Sequence, residues 1–239
     1  MRARLESLEM LANNIANAST AGFKADREFR GLYTSIEAAE AAQSGFSPRA
    51  DAYPVIDSQW TDLSQGTVTP TGNPLDLALE GSGFFVVDTK TGPLLTRNGS
   101  FHLSQDGTIT SPEGHPLRAS GGGTLRIDPS RPFVVSPEGA VVQDGQQIGR
   151  VELVDPGSPA SIRRRGHNYF QLTDPKGALK TAEAARVDQG RLEAANVSPA
   201  QAAVRLVEVL RQFEMLQKAL TIGGEMNRRS VEEVARVNT

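Results

Sequence analysis

The stretch 198–220, SPAQAAVRLVEVLRQFEMLQKAL, decides how the rest of the chain is read. Ser198 reads as an N-cap, Pro199 as the first helical residue and Gln201 as the capping-box partner three positions on, so a helix is expected to start here. Within it Ala203, Leu206, Leu210, Phe213 and Leu220 recur at spacings of three, four, three and seven. Val207 and Leu216 widen this seam and only Gln217 breaks it, which is heptad periodicity. Gly223-Gly224 is expected to interrupt the helix, and Val231, Val234 and Val237 resume a weaker pattern beyond it.

Outward from this stretch, a shorter copy lies at the other terminus. Met1, Leu5, Leu8, Ala12 and Ile15 step by four, three, four and three, flanked by Leu11. An apolar stripe of this kind ordinarily lies on the core of its own domain. Here both stripes are terminal, and each joins the middle of the chain through turn-rich sequence. The expectation is therefore a pair of long terminal helices whose seams are completed by other chains. The candidate assembly face is Leu5, Leu8, Leu11, Ala12, Ile15, Ala203, Leu206, Val207, Leu210, Phe213, Leu216 and Leu220.

The first helix runs into Asn13-Asn14-Ile15-Ala16-Asn17 and then Thr20-Ala21-Gly22-Phe23-Lys24. Asn, Ser, Thr and Gly favour left-handed or self-bonded turns, so a helix stop and a turn around Gly22 are expected. Residues 25–70 read as a linker, extended or partly helical at Glu37–Ala42, with Trp60 as a buried anchor. From Thr71 the texture changes to short β-rich runs punctuated by Gly, Pro and Asp-Gly. Leu75–Leu79 alternates, Phe84–Val87 is a continuous apolar run, and Asn98-Gly99 between Leu94–Arg97 and Ser100–Leu103 predicts a hairpin. Further strands are expected near Thr108–Thr110, Pro132–Val135, Ala140–Val142, Gln147–Val154 and Tyr169–Leu172. The fold class is mainly β: a central all-β domain of many short strands (71–190) flanked by long, coiled-coil-forming N- and C-terminal helices (1–24 and 191–239).

Composition excludes several function classes. The 239 residues are 38% hydrophobic but only 5% aromatic, a modest core. A net charge of −3 leaves no basic footprint for nucleic acid. With no cysteine there are neither disulfides nor thiolate metal sites, and no stretch approaches a membrane span in length. His102, His115 and His167 are too scattered for metal-ligand spacing, and no Walker A, HExxH, EF-hand or GxSxG pattern is present. Gly81-Ser82-Gly83 superficially suggests a dinucleotide loop, but strands follow it. Arg163-Arg164-Arg165 reads by default as a solvated loop. No catalytic, cofactor-binding or metal-binding residue emerges, and no small-molecule substrate is implied.

Four quoted stretches carry a resemblance. Leu11–Asn17 with Thr20–Lys24 resembles the N-terminal signature of the bacterial flagellar rod and hook proteins. Thr71-Gly72-Asn73-Pro74-Leu75-Asp76-Leu77-Ala78-Leu79-Glu80-Gly81-Ser82-Gly83-Phe84-Phe85-Val86-Val87 is similar to their central signature, continued by Thr96–Phe101 and Gln105-Asp106-Gly107. Gly190–Val197, leading into the last helix, closes the series. Within the family, Arg211-Gln212-Phe213-Glu214-Met215 and Gly149–Val154 look more like the proximal rod (FlgF) type than the distal rod (FlgG) type.

The resemblance implies a non-enzymatic rod subunit of the flagellar basal body, exported through the flagellar type III apparatus and polymerised in the periplasm. Its partners would be copies of itself and other rod and hook proteins. Asn13, Asn14, Asn17, Gly22 and Phe23 would form the family-motif turn. Members usually carry further residues ahead of the position of Met1, so either the native start lies upstream of it or the chain is trimmed. Two readings from other classes stand beside this one: a glycan-binding β domain, which needs an aromatic groove, and a closed coiled-coil scaffold unrelated to flagella.

Overall fold

The computed structural model describes residues 2–33, 53–166, 168–173, 180–182 and 184–237. The expected helix at Glu37–Ala42 and His167 lie outside the described residues. The chain divides into two compact units. One gathers Met1–Ile15, Glu28–Gln59 and Ser198–Thr239; the other gathers Ala16–Arg27 and Trp60–Val197.

The first unit holds helix α1 (Arg2–Ala16) and the long helix α2 (Pro199–Val237). The start of α2 falls where Ser198-Pro199 places it, with the Ala202 N–H bonded to the Ser198 carbonyl at 2.9 Å. Its end does not. The helix runs unbroken for 39 residues, about 58 Å at 1.5 Å per residue. Gly223 and Gly224 each cost roughly 1 kcal/mol against Ala but keep their N–H groups, so they weaken a helix without stopping it. The expectation of a long N-terminal helix is also corrected. Helix α1 has 15 residues, too few for the three or four heptads of a coiled coil, and it yields to the Asn-rich turn that follows.

Strands β1 (Asp26–Tyr33) and β2 (Tyr53–Thr61) pair with one another. Trp60 at the end of β2 is 44% exposed and so is not the buried anchor expected of it.

The second unit is built from many short strands. At its centre is a six-stranded antiparallel sheet ordered β13-β14-β6-β5-β12-β15. Those strands are β5 (Phe84–Thr89), β6 (Gly92–Thr96), β12 (Leu153–Asp155), β13 (Ile162–Arg164), β14 (Tyr169–Leu172) and β15 (Lys180–Thr181). The continuous apolar run of β5 is explained by burial on both faces. Phe85 and Val87 enter the main core with Leu79, Phe101, Leu117 and Val151, while Phe84 and Val86 face a smaller cluster with Leu95, Val154 and Phe170. Edge-to-face contacts at 5.3 Å (Phe85 with Phe101) and 5.5 Å (Phe84 with Phe170) fix the two layers.

Around this sheet lie β3 (Val68–Pro70), β4 (Leu77–Glu80), β7 (His102–Leu103) and β8 (Ile109–Thr110), then β9 (Phe133–Val135), β10 (Ala140–Gln143), β11 (Gln146–Arg150), β16 (Arg186–Gln189) and β17 (Arg191–Glu193). Strands β10 and β11 form a hairpin with a two-residue loop, Asp144 and Gly145 at φ +54° and +76° being the two left-handed residues of a type I′ turn.

The Asn98-Gly99 hairpin is a correction. Strand β6 pairs with β5 and β14, while β7 pairs with β8. Asn98-Gly99 is instead a corner: Asn98 Oδ1 accepts the Ser100 N–H at 3.0 Å, and a Cβ on Gly99 would lie 1.5 Å from the Leu77 carbonyl oxygen. The close approach of two backbones, not a tight turn, requires that glycine.

One titration follows from this core. The Tyr169 hydroxyl donates to the Glu113 carboxylate and lies 2.9 Å from Ser111 Oγ. Burial, then that carboxylate, push the phenol well above its ordinary value. Its folded pKa is raised, so its contribution to stability is complete below the unfolded value near pH 10 and is lost as pH rises through the folded one. Urea titrations should show Tyr169→Phe costing about 1 kcal/mol at neutral pH and falling less steeply than the parent above pH 10; parallel curves would contradict the assignment.

Candidate functional site

The long helix is the candidate assembly surface. Ala202, Leu206, Val209 and Phe213, stepping by four, three and four, are its covered line: Val209 is 3% exposed and the other three are half-buried. The predicted seam lies beside this line. Ala203 is exposed, and Val207, Leu210, Leu216 and Leu220 are 49%, 42%, 42% and 62% exposed. Val204, Met215, Ile222 and Met226 add further exposed apolar side chains. Sequence reasoning missed Val209 because Ala202-Leu206-Val209-Phe213 and Ala203-Leu206-Leu210-Phe213 are equally good heptad frames.

On α1, Leu11 is buried, Leu8 and Ile15 are half-buried, and Leu5 and Ala12 are exposed. Within this unit the Glu28 carboxylate, whose side chain is 3% exposed, takes a hydrogen bond from Ser7 Oγ of α1 and lies 3.7 Å from Arg205 Nη2 of α2. One strand residue thus tethers both helices.

The motif-turn residues divide between the two units. Asn13 (exposed) and Asn14 (buried) belong to the helical unit, whereas Asn17, Gly22 and Phe23 belong to the β unit. There the segment 20–25 is seated as a strap. Gly22, at φ +66°, donates its N–H to the Glu193 carbonyl at 2.6 Å, and a Cβ on it would meet the Arg97 carbonyl carbon at 2.2 Å. Phe23 is fully buried, with the Arg164 guanidinium 4.9 Å from its ring centre and 5.0 Å from that of Phe170. Arg164 also pairs with Asp26 at 2.9 Å, so the middle arginine of the triplet is a packed strand residue rather than part of a solvated loop. Arg163 and Arg165 are mostly exposed.

Beneath the strap lies a buried ionic knot that sequence reasoning did not select. Glu193, Lys24 and Arg97 have side chains 0%, 0% and 4% exposed. Lys24 Nζ donates to Glu193 Oε1 and to the Ser64 carbonyl, each at 2.6 Å. Arg97 reaches Glu193 Oε2 at 3.1 Å and the Gly81 carbonyl at 2.6 Å, with its guanidinium 5.4 Å from the Phe84 ring centre. The Gly66 N–H completes the set on Glu193 at 2.8 Å.

Burial pulls both Lys24 and Arg97 below their ordinary pKa values, and Glu193 opposes the shift in each. Lys24 Nζ and the two terminal nitrogens of Arg97 have protein partners while Arg97 Nε is buried without one, and the arrangement binds the chain to itself. Alternation in Arg191-Leu192-Glu193 would turn Leu192 inward and Glu193 outward, yet Leu192 is half-buried and Glu193 buried, so the sequence carries no hint of the knot.

Three regions of the chain match known protein families. Residues 1–24 match the family described as flagella basal body rod protein. Residues 78–150 match the flagellar hook protein FlgE/F/G D1 domain, and residues 188–232 match the flagellar basal body rod FlgEFG protein C-terminal family. The flagellar basal-body rod protein FlgF of Caulobacter vibrioides is 33% identical over 97% of this chain and 93% of its own length.

The chain belongs to the flagellar basal-body rod protein family. Within that family it is most similar to the FlgF type. The FlgG protein of the same Caulobacter species is 28% identical over 95% of this chain and 93% of its own length, and FlgF of Mesorhizobium japonicum is 30% identical over 87% and 83%. Each matched region contains one member of the knot, Lys24 in the first, Arg97 in the second and Glu193 in the third. As a member of the rod family, the protein is a structural subunit of the flagellar basal body.

Proposed function

We propose that this protein is the proximal-rod subunit, joining copies of itself and other rod and hook proteins through the apolar faces of α1 and α2. The flagellar type III apparatus exports it uncleaved, and it assembles in the periplasm into the wall of the axial channel. The observation that carries this reading is the row Val207, Leu210, Leu216 and Leu220, each at least 42% exposed on a continuous 39-residue helix. Covering four such side chains on assembly stabilises the polymer at roughly 25 cal/mol per Å² of apolar surface removed from water. A head-to-tail contact that does not close then extends into an open helical tube.

The test is complementation of a strain lacking the gene with a Leu210→Asp, Leu220→Asp variant. Both side chains are exposed, so the purified variant should melt within about 0.5 kcal/mol of the parent. It should be secreted at parental level and yet restore no swimming. Normal motility from this variant would end the proposal.

A further inference from the structure

The segment by which the chain first enters the β unit lies beside the one by which it last leaves it. The Gly22 N–H donates to the Glu193 carbonyl at 2.6 Å, and the Asn196 N–H donates to the Phe23 carbonyl at 3.2 Å. Moving forward along the incoming segment thus moves the partner forward along the outgoing one, so the two run in the same direction, as neighbouring parallel strands do. Cross-braces sit on the same few residues. The Ala25 N–H donates to Asn196 Oδ1 at 2.7 Å, Lys24 Nζ to Glu193 Oε1 at 2.6 Å, and Asn168 Nδ2 to the Ala21 carbonyl at 2.7 Å. Asn196 Nδ2 is itself anchored on the Asp62 carbonyl at 2.8 Å.

This direction matters under load. The first segment is pulled from its N-terminal side, where α1 precedes it, and the second from its C-terminal side, where α2 follows. Parallel segments loaded in this way slide past each other, so their bonds strain together; segments peeled from one end break bonds singly. We propose that the contact between residues 22–25 and 193–196 is a mechanical shear clamp, which keeps the β unit folded while force passes between it and the terminal helices. Its use in a rod rests on the assignment as a rod subunit, but the clamp is a property of one molecule and is tested without assembly.

The chain contains no cysteine, so single thiols place pulling handles unambiguously. In the full-length protein, Ser19→Cys with Ser198→Cys, both exposed, loads the clamp in shear. Lys90→Cys with Ser130→Cys, also exposed, bypasses it. Because forced unfolding reads the barrier rather than the equilibrium stability, the first geometry should rupture at about twice the force of the second. It should release about 600 Å of chain, set by some 3.4 Å per residue between the handles. Asn196→Ala, which keeps the buried charges paired, should lower the force in the first geometry and leave the second unchanged; Glu193→Gln should do the same. Equal forces in the two geometries, or a first-geometry force indifferent to Asn196→Ala, would overturn the clamp. Loss of swimming in the helix-face variant has no bearing on this result.

Discussion

Glu193→Ala is expected to destabilise the β unit by about 3–5 kcal/mol, the usual cost of removing one partner from a buried ion pair. The parent places one carboxylate between two cations, all three with side chains at most 4% exposed. Such a cluster is weak evidence for net stability, because desolvating three charges consumes much of what their attraction returns. Breaking it is another matter. Without Glu193, Arg97 keeps the Gly81 carbonyl and the Phe84 ring but remains charged, since guanidinium does not deprotonate in proteins. Lys24 keeps only the Ser64 carbonyl.

Lys24 has an escape that Arg97 lacks. Its pKa is already lowered by burial against the opposing pull of Glu193, and the variant removes that opposition. The folded pKa then lies further below the unfolded one. Between the two values the unfolded chain binds more protons than the native one, so stability rises with pH across that window. Urea unfolding of Glu193→Ala should therefore improve from neutral pH towards pH 10, the ordinary lysine range, relative to the parent. A variant of parental stability at neutral pH would mean that the three charges are not confined together in solution.

The legible and illegible parts of this chain divide along physical lines. Signals that are local were readable: the start of α2 from Ser198-Pro199, the doubly buried strand from Phe84-Phe85-Val86-Val87, and the turn at Asp144-Gly145. Signals whose meaning depends on what lies across the fold were not. Asn98-Gly99 carries the residue pair of a hairpin, but Gly99 answers to Leu77, which approaches from another strand. Gly223-Gly224 looks like a stop because propensity is judged residue by residue, whereas a helix of 39 residues averages over many good formers. The α2 stripe was visible as a stripe, yet which of two interleaved lines faces inward was set by packing, and Val209 rather than Leu210 is covered. Lys24, Arg97 and Glu193 lie far apart in sequence, and single charged residues default to the surface in any sequence reading. Only the fold makes them one site.

Gly22→Ala should cost more than 3 kcal/mol, against about 1–2 kcal/mol for Gly72→Ala, and the difference between these two variants isolates the seating of the strap. Both glycines occupy the left-handed region, at φ +66° and +75°, so each alanine bears a similar backbone penalty. Their surroundings differ completely. A Cβ on Gly72 would meet nothing within 4 Å, whereas one on Gly22 would lie 2.2, 2.3 and 2.5 Å from Arg97 C, Arg97 O and Asn98 N. Those atoms are backbone, held by the Arg97 side chain in the knot and by the Asn98 N–H bond to Thr96 Oγ1 at 3.0 Å, so no flexible group is available to yield. The strap must lift instead. Lifting it exposes Phe23, strips Arg164 of an aromatic partner and separates Lys24 from Glu193, which converts a one-atom clash into loss of the knot. Thermal or urea unfolding of the two variants, read beside amide exchange of residues 20–25, checks the chain of consequences. Equal losses for Gly22→Ala and Gly72→Ala, with exchange in 20–25 unchanged, would show that the strap does not sit against Arg97.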